Sequence, residues 1–342
     1  MPYYVGLDVS VKTTAVCIVD EAGKLIAERP LATEPASLAD WLVRTGLDIA
    51  RVGHESGPLS AWLHEGLIAE GLPAVCVDAR HMKTALAAMR NKTDRNDARG
   101  IAQMMRTGWY REVHVKSRRA QELRLLLVAR QTLIDNRANI ENTIRGTLKV
   151  FGIKVGQVSR LKFAERVGEL VSDRSEIAEP VVALLKVRNA LLAQFHVLQR
   201  KLRRVAREDE ICRRLMTAPG VGPLVAVSFR AAVDQPERFA KSASVGAHFG
   251  MTPRRYASGE INRQGAISKC GDVTVRTALY EAANAILTRL KRSSRLKSWG
   301  LEIAKRSCIA KAKVAVARKL AVILHRMWVN GNDFDWKGEV AA

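Results

Sequence analysis

The sequence predicts an α/β domain followed by a larger, mainly helical region. Residues 3–79 contain short apolar segments of strand length, separated by turn residues or by helical patterns. The stretches 117–152 and 176–209 instead place apolar residues at three- and four-residue spacing, and the remainder shows shorter helical patterns broken by glycine-rich turns. At 342 residues the chain is long enough for two or three domains, each with its own core.

The first domain is predicted to span residues 1–112. YYVGLDV, TTAVCIVD and KLIAERP, within residues 3–30, predict three strands of an antiparallel meander, because the turn EAGK joins the second strand to the third. The elements that follow are a helix at 37–46, a strand at 48–55, a helix at 59–71, a strand at 73–79 and a helical stretch at 80–107 with a break near Asn91. Three hairpin strands followed by alternating helices and strands are typical of a mixed sheet of the ribonuclease H type.

Residues 113–210 are predicted to form a helical coiled-coil segment. The two long periodic stretches carry their apolar residues on a charged background, which is typical of amphipathic helices, and a less regular connector lies between them. Because a single pair of such helices buries little apolar surface by itself, we expect an antiparallel hairpin that dimerises.

Residues 211–342 are predicted to form a mostly helical C-terminal domain. MTAPGVGPLVAVSFRAAV predicts a helix end, a Gly-Val-Gly turn and a second helix. The next stretch, FGMTPRRYASGEINRQGAISKCGD, is rich in turn residues and is predicted to be a loop. Two cationic helices follow, TVRTALYEAANAILTRL and AKAKVAVARKLAVILHRMW.

The charge of the chain indicates a polyanionic partner. It has 56 Lys+Arg against 34 Asp+Glu, a net charge of +22, which is far more than solubility requires and points to nucleic acid. Residues 254–326 contain 17 Lys+Arg against 4 acids, so we expect this region to bind a nucleic-acid backbone.

Neither a membrane protein nor a secreted one is predicted. We find no run of about 18 apolar residues and no basic-then-apolar segment ahead of the first strand. The five cysteines are odd in number, scattered and without CxxC spacing, so neither a disulfide framework nor a zinc site is expected. These observations favour a cytoplasmic protein.

Four acids form a candidate metal site. Asp94 and Asp97 are the only acids in the basic stretch 80–106, and on a helix they would lie on one face, about a turn apart. Asp8 and Glu55 end two predicted strands, and such ends can meet at one edge of a mixed sheet. Hard carboxylate oxygens suit Mg²⁺, or else Mn²⁺, and such ions support phosphoryl transfer.

Three of these acids also have a structural explanation. Asp94 would serve as the N-cap of the helix that follows Thr93. Glu55 would pair with Arg51 on the surface, and Asp8 would form a turn after its strand. Four acids at two strand ends and at helix positions i and i+3 are harder to explain together, which favours the metal cluster.

The motifs resemble those of one known family. GLDVS, HESG and NKTDRNDA are followed, after the long helical segment, by APGVG, GMTPRRYASG and GAISKCGDVTVRTALY. This set resembles the DEDD-type transposases of bacterial insertion sequences, the family numbered one-hundred-ten, over nearly the whole chain and in the same order. TPRRYxSG with a following GxxSKxG is the most specific part.

The resemblance implies a RuvC-like first domain and a C-terminal transposase domain with a serine nucleophile. The family's four acids match Asp8, Glu55, Asp94 and Asp97, and its serine matches Ser258. A serine that attacks a phosphodiester forms a phosphoserine and keeps the bond available for rejoining, whereas water would only cut the strand. Without the resemblance, Ser258 is better explained as a turn residue. Other candidate nucleophiles are Ser242, Tyr256, Ser268 and Tyr280.

The nucleic-acid-binding residues are predicted around this serine and at the glycine turn. Gly220 and Gly222 resemble the hairpin of a helix-hairpin-helix, whose backbone N–H groups bind phosphate, although an ordinary helix-helix turn explains them equally well. The basic residues in this set, which would hold phosphates near the serine, are Arg254, Arg255, Arg263, Lys269 and Arg276.

The resemblance also implies partners that composition and spacing do not show. These are double-stranded DNA from the element end and the target, a structured guide RNA (bridge RNA) whose loops pair with both, and a dimer or tetramer of the chain. Delegating sequence choice to base pairing suits a basic protein with few aromatic residues. Two alternatives stay open: a hydrolytic RuvC-like nuclease or Holliday junction resolvase, and a non-catalytic architectural or RNA-binding protein.

Overall fold

A five-stranded mixed sheet is the centre of the N-terminal unit. The computed structural model describes residues 1–87 and 91–336, and contacts divide the chain into the units Met1–Arg118 and Arg119–Ala342. The strands are β1 (Tyr3–Val9), β2 (Thr13–Val19), β3 (Leu25–Ala32), β4 (Ile49–Glu55) and β5 (Ala74–Val77). Their order is β3-β2-β1-β4-β5, with antiparallel pairing among the first three and parallel pairing of β1 with β4 and β4 with β5. The predicted mixed sheet is therefore confirmed.

Helices cover both faces of this sheet. They are α1 (Pro35–Arg44), α2 (Ser60–Ala69), α3 (Ala79–Leu86) and α4 (Asp94–Thr107). On one face, α1 and α2 share a core with Val5, Leu7 and Val52. On the other face, α4 packs its alanines against β2 and its methionines against β5 and α3. The predicted helical break near Asn91 is present, and residues 88–90 lie outside the described part of the chain.

Two glycines allow α4 to lie directly on the sheet. A Cβ atom on Gly6 would stand 2.1 Å from the carbonyl oxygen of Ala98 and 2.4 Å from the amide nitrogen of Ala102. A Cβ atom on Gly53 would stand 2.5 Å from the side chain of Met105. The helix backbone therefore occupies the space that a side chain on β1 would need.

The two long helices predicted for the middle of the chain are confirmed. They are α5 (Arg118–Val150) and α7 (Ser175–Glu208), joined by a connector that contains the short helix α6 (Phe163–Val171). The pair is antiparallel, because Ile144 and Leu148 of α5 share a core with Leu185 and Val181 of α7. Whether this pair is a coiled coil stays a prediction.

A buried ion cluster lies midway along this pair. Arg188 of α7 is 2 % exposed and donates to Glu141 of α5 at 3.0 Å. Arg137, also buried, donates to the same carboxylate at 3.1 Å. One acid thus serves two arginines from the two facing helices.

Exposed apolar side chains remain on both long helices, including Leu125, Val128, Val187 and Val197.

Of the helices in the described part of the chain, α7 alone is long and apolar enough to cross a membrane. This test uses length and composition only, and core helices of soluble proteins pass it as well.

The C-terminal unit is mostly helical, as predicted. Its further elements are α8 (Glu210–Leu215), α9 (Pro223–Val233), a 3-10 turn (Pro236–Arg238), α10 (Ala243–His248), β6 (Pro253–Ser258), β7 (Ile261–Ile267), α11 (Val273–Thr288), α12 (Arg295–Arg306) and α13 (Ile309–Asn330). The central helix is α13, which buries Val316, Leu320 and Leu324 against its neighbours.

The loop predicted around TPRRYASG is wrong, because β6 and β7 form an antiparallel hairpin. Gly259, with φ at +54°, is the first of the two residues between the strands, where a tight hairpin turn needs a positive φ. The strands escaped prediction because nearly every residue on them is exposed, so the apolar alternation of a half-buried strand is missing.

We expect Gly6→Ala to loosen α4. The added methyl group would force the helix backbone away from β1, at a cost of about 3 kcal/mol. Hydrogen exchange of α4 amides in the full chain measures this loss of protection. Gly57→Ala is the matched control, because a Cβ atom there meets nothing within 4 Å. Equal protection in the two variants would contradict the close contact.

Candidate active site

Asp8 and Glu55 lie side by side at the ends of two parallel strands. The pairing of β1 with β4 places Leu7 opposite His54, so the next residue on each strand brings the two acids together. Each acid follows by two residues a glycine that α4 covers, so both lie on the α4 face of the sheet. The structure thus brings these carboxylates to one edge of the sheet.

Asp94 and Asp97 stand in the first turn of α4. The N-cap of this helix is Thr93, whose hydroxyl accepts the N–H of Asn96 at 3.2 Å, so the alternative role of Asp94 as N-cap is wrong. Because residues three apart share a helix face, both aspartates belong to the same end of α4.

The alternative ion pair between Glu55 and Arg51 is also wrong. Arg51 donates to the carbonyl oxygen of Met105 at 2.8 Å. Its guanidinium lies 6.0 Å from the ring centroids of Tyr4 and Tyr110. Over residues 1–87 and 91–336, no salt bridge joins it to Glu55.

The four acids interact electrostatically. Burial raises the pKa of Asp8 to about 6, and the charges of Asp94 and Asp97 raise it as well. Burial also raises the pKa of Glu55, with further contributions from Asp8 and Asp97. Lys92 opposes both shifts. The carboxylates therefore repel one another in a half-buried place, and a bound cation would relieve that repulsion.

The chemistry of these donors fits a hard cation such as Mg²⁺, since all four are carboxylates. As the side chains are placed, however, the described residues include no group of three acids, histidines or cysteines that would hold one ion. Binding would therefore require these side chains to turn toward a shared ion.

Glu28 is a residue near this site that the sequence analysis missed. It lies on β3 with 15 % of its side chain exposed and binds Arg99 of α4 through two hydrogen bonds, of 2.7 and 2.9 Å. It also forms a salt bridge with Arg95. The one available signal was an acid inside a predicted strand, which is too common to indicate a role.

A histidine pair lies behind Glu55, on the other face of the sheet. His54 is fully buried, and its Nε2 lies 3.2 Å from Nδ1 of His64 on α2. Burial lowers the pKa of His54 to about 4, so the ring is neutral at physiological pH. The sequence analysis did not single out this pair either.

Ser258 is the last residue of β6, at the tip of the exposed hairpin. It pairs with Ile261 across the two-residue turn. Its hydroxyl makes no hydrogen bond to any residue that the structure describes, and Tyr256, two residues earlier, is 64 % exposed. Ser258 belongs to the C-terminal unit, whereas the four acids belong to the N-terminal unit.

The basic residues around Ser258 fall into two groups. Arg254 donates to the carbonyl oxygen of Ser268, and Arg255 donates to the side chain of Asn262. Arg276 donates to the carbonyl oxygens of Phe249 and Cys270, which ties it to the backbone. Arg263 and Lys269, in contrast, are exposed, and their side chains make no hydrogen bond or salt bridge within the described residues.

The two glycines of the Gly-Val-Gly turn have different surroundings. Gly220 has φ at +72° and packs against α11, where a Cβ atom would stand 2.6 Å from the carbonyl oxygen of Ala282. Packing alone therefore explains that glycine. Gly222 is the N-cap of α9, and a Cβ atom there would meet nothing within 4 Å. The N–H groups of the first turn of α9, which have no partner within the helix, lie next to it.

Two family profiles match the chain. One for DEDD-type transposases of the IS110 family, described as "Transposase", matches residues 5–153 and thus includes all four acids. The other, described as "Transposase IS116/IS110/IS902 family", matches residues 212–298 and includes Ser258.

Curated relatives are similar over most of the chain. A "Transposase for insertion sequence element IS1111A" from Coxiella burnetii is 28% identical over 93% of this chain and 87% of its own length. A "Putative transposase y4pF/y4sB" from Sinorhizobium fredii is 29% identical over 72% of this chain and 64% of its own. A "Probable family 20 transposase" from Pseudomonas aeruginosa is 28% identical over 68% of this chain and 71% of its own.

The family suggested by the motifs is thus confirmed by matches in both the N-terminal and the C-terminal part of the chain. The chain belongs to the IS110 family of insertion-sequence transposases.

Proposed function

We propose that this transposase is a DNA recombinase that cuts and rejoins strands through a phosphoserine intermediate. The observation that carries the proposal is the meeting of Asp8 and Glu55 at one sheet edge, within electrostatic reach of Asp94 and Asp97. The strand order β3-β2-β1-β4-β5, with β1 in the middle, supports a RuvC-like sheet of the ribonuclease H type.

The four carboxylates would hold Mg²⁺, with Mn²⁺ as the second choice. When bound, such an ion activates an oxygen nucleophile and stabilises charge on the leaving oxygen in phosphoryl transfer. The protein contributes the arrangement of the acids, because Asp8 lies on β1, Glu55 on β4, and both other acids on α4.

In the proposed reaction, Ser258 attacks the phosphorus atom of one strand. A bond forms from its Oγ to phosphorus, and the bond from phosphorus to one sugar oxygen breaks. The hydroxyl loses its proton, and the leaving sugar oxygen takes up a proton. Attack by a sugar hydroxyl of another strand on the phosphoserine reverses these changes and rejoins the DNA. The exposed hairpin tip supports this role, because it leaves the hydroxyl accessible to a strand.

The remaining predicted residues would bind the DNA backbone. Arg263 and Lys269 are the best placed, since they are exposed cations without a described partner. Arg254 and Arg255 lie on the hairpin itself, whereas Arg276 holds backbone carbonyls and would contribute through the fold. The open start of α9 at Gly222 would accept a phosphate, with Gly220 setting the turn.

We also propose a structured guide RNA and a dimer or tetramer, in the cytoplasm at the nucleoid. The net charge of +22 supports binding of more nucleic acid than one duplex end. The exposed apolar side chains on α5 and α7 support self-association through the long helical pair.

A hydrolytic nuclease or junction resolvase is the second candidate. It is favoured by the bare surroundings of Ser258, whose hydroxyl has no described partner that would accept its proton. In that case the carboxylates alone would cut DNA with water as the nucleophile.

Trapping of a covalent protein-DNA adduct separates these candidates. With Mg²⁺, element-end DNA, target DNA and the RNA from the element's flanks, we expect an adduct for the natural sequence and for Tyr256→Phe, and none for Ser258→Ala. Asp97→Asn should lower adduct formation by roughly a hundredfold or more, the scale on which loss of an electrostatic catalytic group acts. Normal cutting by Ser258→Ala would show the hydrolytic enzyme, and normal cutting by Asp97→Asn would contradict both candidates.

We expect Asp8→Asn to stabilise the metal-free protein at neutral pH. The folded state raises the pKa of Asp8 from 3.8 to about 6, so the folded protein holds this proton more tightly and loses stability as the pH rises from about 4 to 6. Because the group is half exposed, the gain from the substitution should be only about 1 kcal/mol.

Hydrogen exchange of β1 amides at pH 5 and pH 7.5, with and without Mg²⁺, measures this effect. Mg²⁺ should protect the natural protein at the higher pH and should protect Asp8→Asn much less. Asp40→Asn, in an exposed ion pair on α1, is the control. Equal protection by Mg²⁺ in all three proteins would show that the ion binds elsewhere.

A further inference from the structure

A groove on the sheet leads past the start of α4 to the acidic cluster. Its volume is about 450 Å³. The residues that line it include Thr13, Ala15, Glu28, Pro30, Asp94 and Arg95. It exists because the sheet extends beyond the first turn of α4, so no helix within residues 1–87 and 91–118 lies above this part of the α4 face.

The floor of the groove is continuous with the carboxylates. Ala15 on β2 lies opposite Asp8 on β1, and also opposite Pro30 on β3. Since Asp8 lies beside Glu55, a row of neighbours crosses four strands, from Pro30 through Ala15 to the two acids. Its outer half is small and uncharged, and its inner half is acidic.

One wall of the groove carries a positive charge in a fixed place. Arg95 follows Asp94 in α4, and 66 % of its side chain is exposed, although it forms a salt bridge with Glu28. The Glu28 carboxylate also accepts two hydrogen bonds from Arg99, so one carboxylate binds two guanidinium groups. Glu28, Arg95 and Arg99 together carry a net charge of +1. Exposed Arg29 adds a second positive charge and Asp94 offsets one, so the surroundings of the groove stay positive by one charge.

We infer that this groove binds one strand of nucleic acid, through a phosphate held by Arg95, and leads it to the four carboxylates. The inference rests on the proposed function and adds the path of the strand over this unit. Uncharged small residues on the floor leave room for a sugar, and the guanidinium provides the fork of donors that a phosphate accepts. A groove of this size is far too small for a duplex.

Glu28 acts here as a positioning residue. Because its carboxylate holds Arg95 before any ligand arrives, less side-chain freedom is lost when the phosphate binds. Its two bonds to Arg99 fix the same turn of α4 that carries Asp97, so the cation and the acids keep a constant relation.

Photo-crosslinking in the full chain tests the path without any need for cleavage. A benzophenone side chain is placed at exposed Thr13, and the probe is a single-stranded DNA oligonucleotide from the element end, with a chelator present. The control places the same group at Val43, on α1 at the opposite face, where 68 % of the residue is exposed. We expect crosslinks from position 13 and few from position 43. Equal yields from both positions, or none from position 13, would overturn the inference.

Substitutions then test the role of Arg95. Arg95→Ala should lower the yield from position 13 roughly tenfold, as expected for loss of one charge-assisted hydrogen bond. Arg95→Lys should keep much of it. Arg44→Ala, which removes an equally charged and exposed side chain from α1, should leave it unchanged. A yield that falls equally in Arg95→Ala and Arg44→Ala, or in neither, would overturn the phosphate contact.

Glu28 gives a readout that a purely structural role would not move. Glu28→Gln should lower the yield several-fold, and Glu28→Asp should restore part of it, while hydrogen exchange of β1 amides stays as in the natural protein. Loss of β1 protection together with the crosslink would show that the unit unfolds, and would overturn the positioning role.

The crosslink tests the path of the strand and the covalent adduct tests the serine mechanism, so each proposal can be wrong without the other. A protein that crosslinks at position 13 but forms no adduct at Ser258 would retain the groove and disprove recombination through the serine. An adduct at Ser258 without crosslinks at position 13 would retain the proposed function and disprove this path.

Discussion

The contact between Gly6 and the backbone of α4 determines the geometry of the acidic edge. Because no side chain separates them, the start of the helix lies at the same edge as the ends of β1 and β4. Any shift of α4 would move Asp94 and Asp97 relative to Asp8 and Glu55. The positions of the acids thus depend on glycine at residue 6, because a Cβ atom there would push α4 away from the sheet.

Two opposite electrostatic arrangements lie next to each other at this helix start. Asp8 and its neighbours form a half-buried group of like charges, which disfavours the folded state without a cation. Glu28, with Arg95 and Arg99, forms a group of opposite charges two strands further out, on β3. The second group holds the helix start in place, and so offsets the repulsion that the first creates.

Sequence patterns predicted the sheet, its helices and the two long helices, because half-buried strands and amphipathic helices leave clear periodicities. The exposed hairpin around Ser258 shows no such periodicity, and its turn-rich sequence predicted a loop instead. The strand-end positions of Asp8 and Glu55 were readable for the same reason as the strands. Glu28, His54 and Arg95 were not, because their roles depend on partners from distant segments that no spacing reveals.

The ion cluster of Arg137, Glu141 and Arg188 fixes more than the pairing of α5 with α7. If one helix slid by a turn against the other, the single carboxylate would lose an arginine, leaving a buried cation unpaired at a cost of several kcal/mol. Apolar side chains alone would tolerate such sliding far better. The pair therefore behaves as a rod of set length, and any partner bound at one end stands at a defined separation from the other.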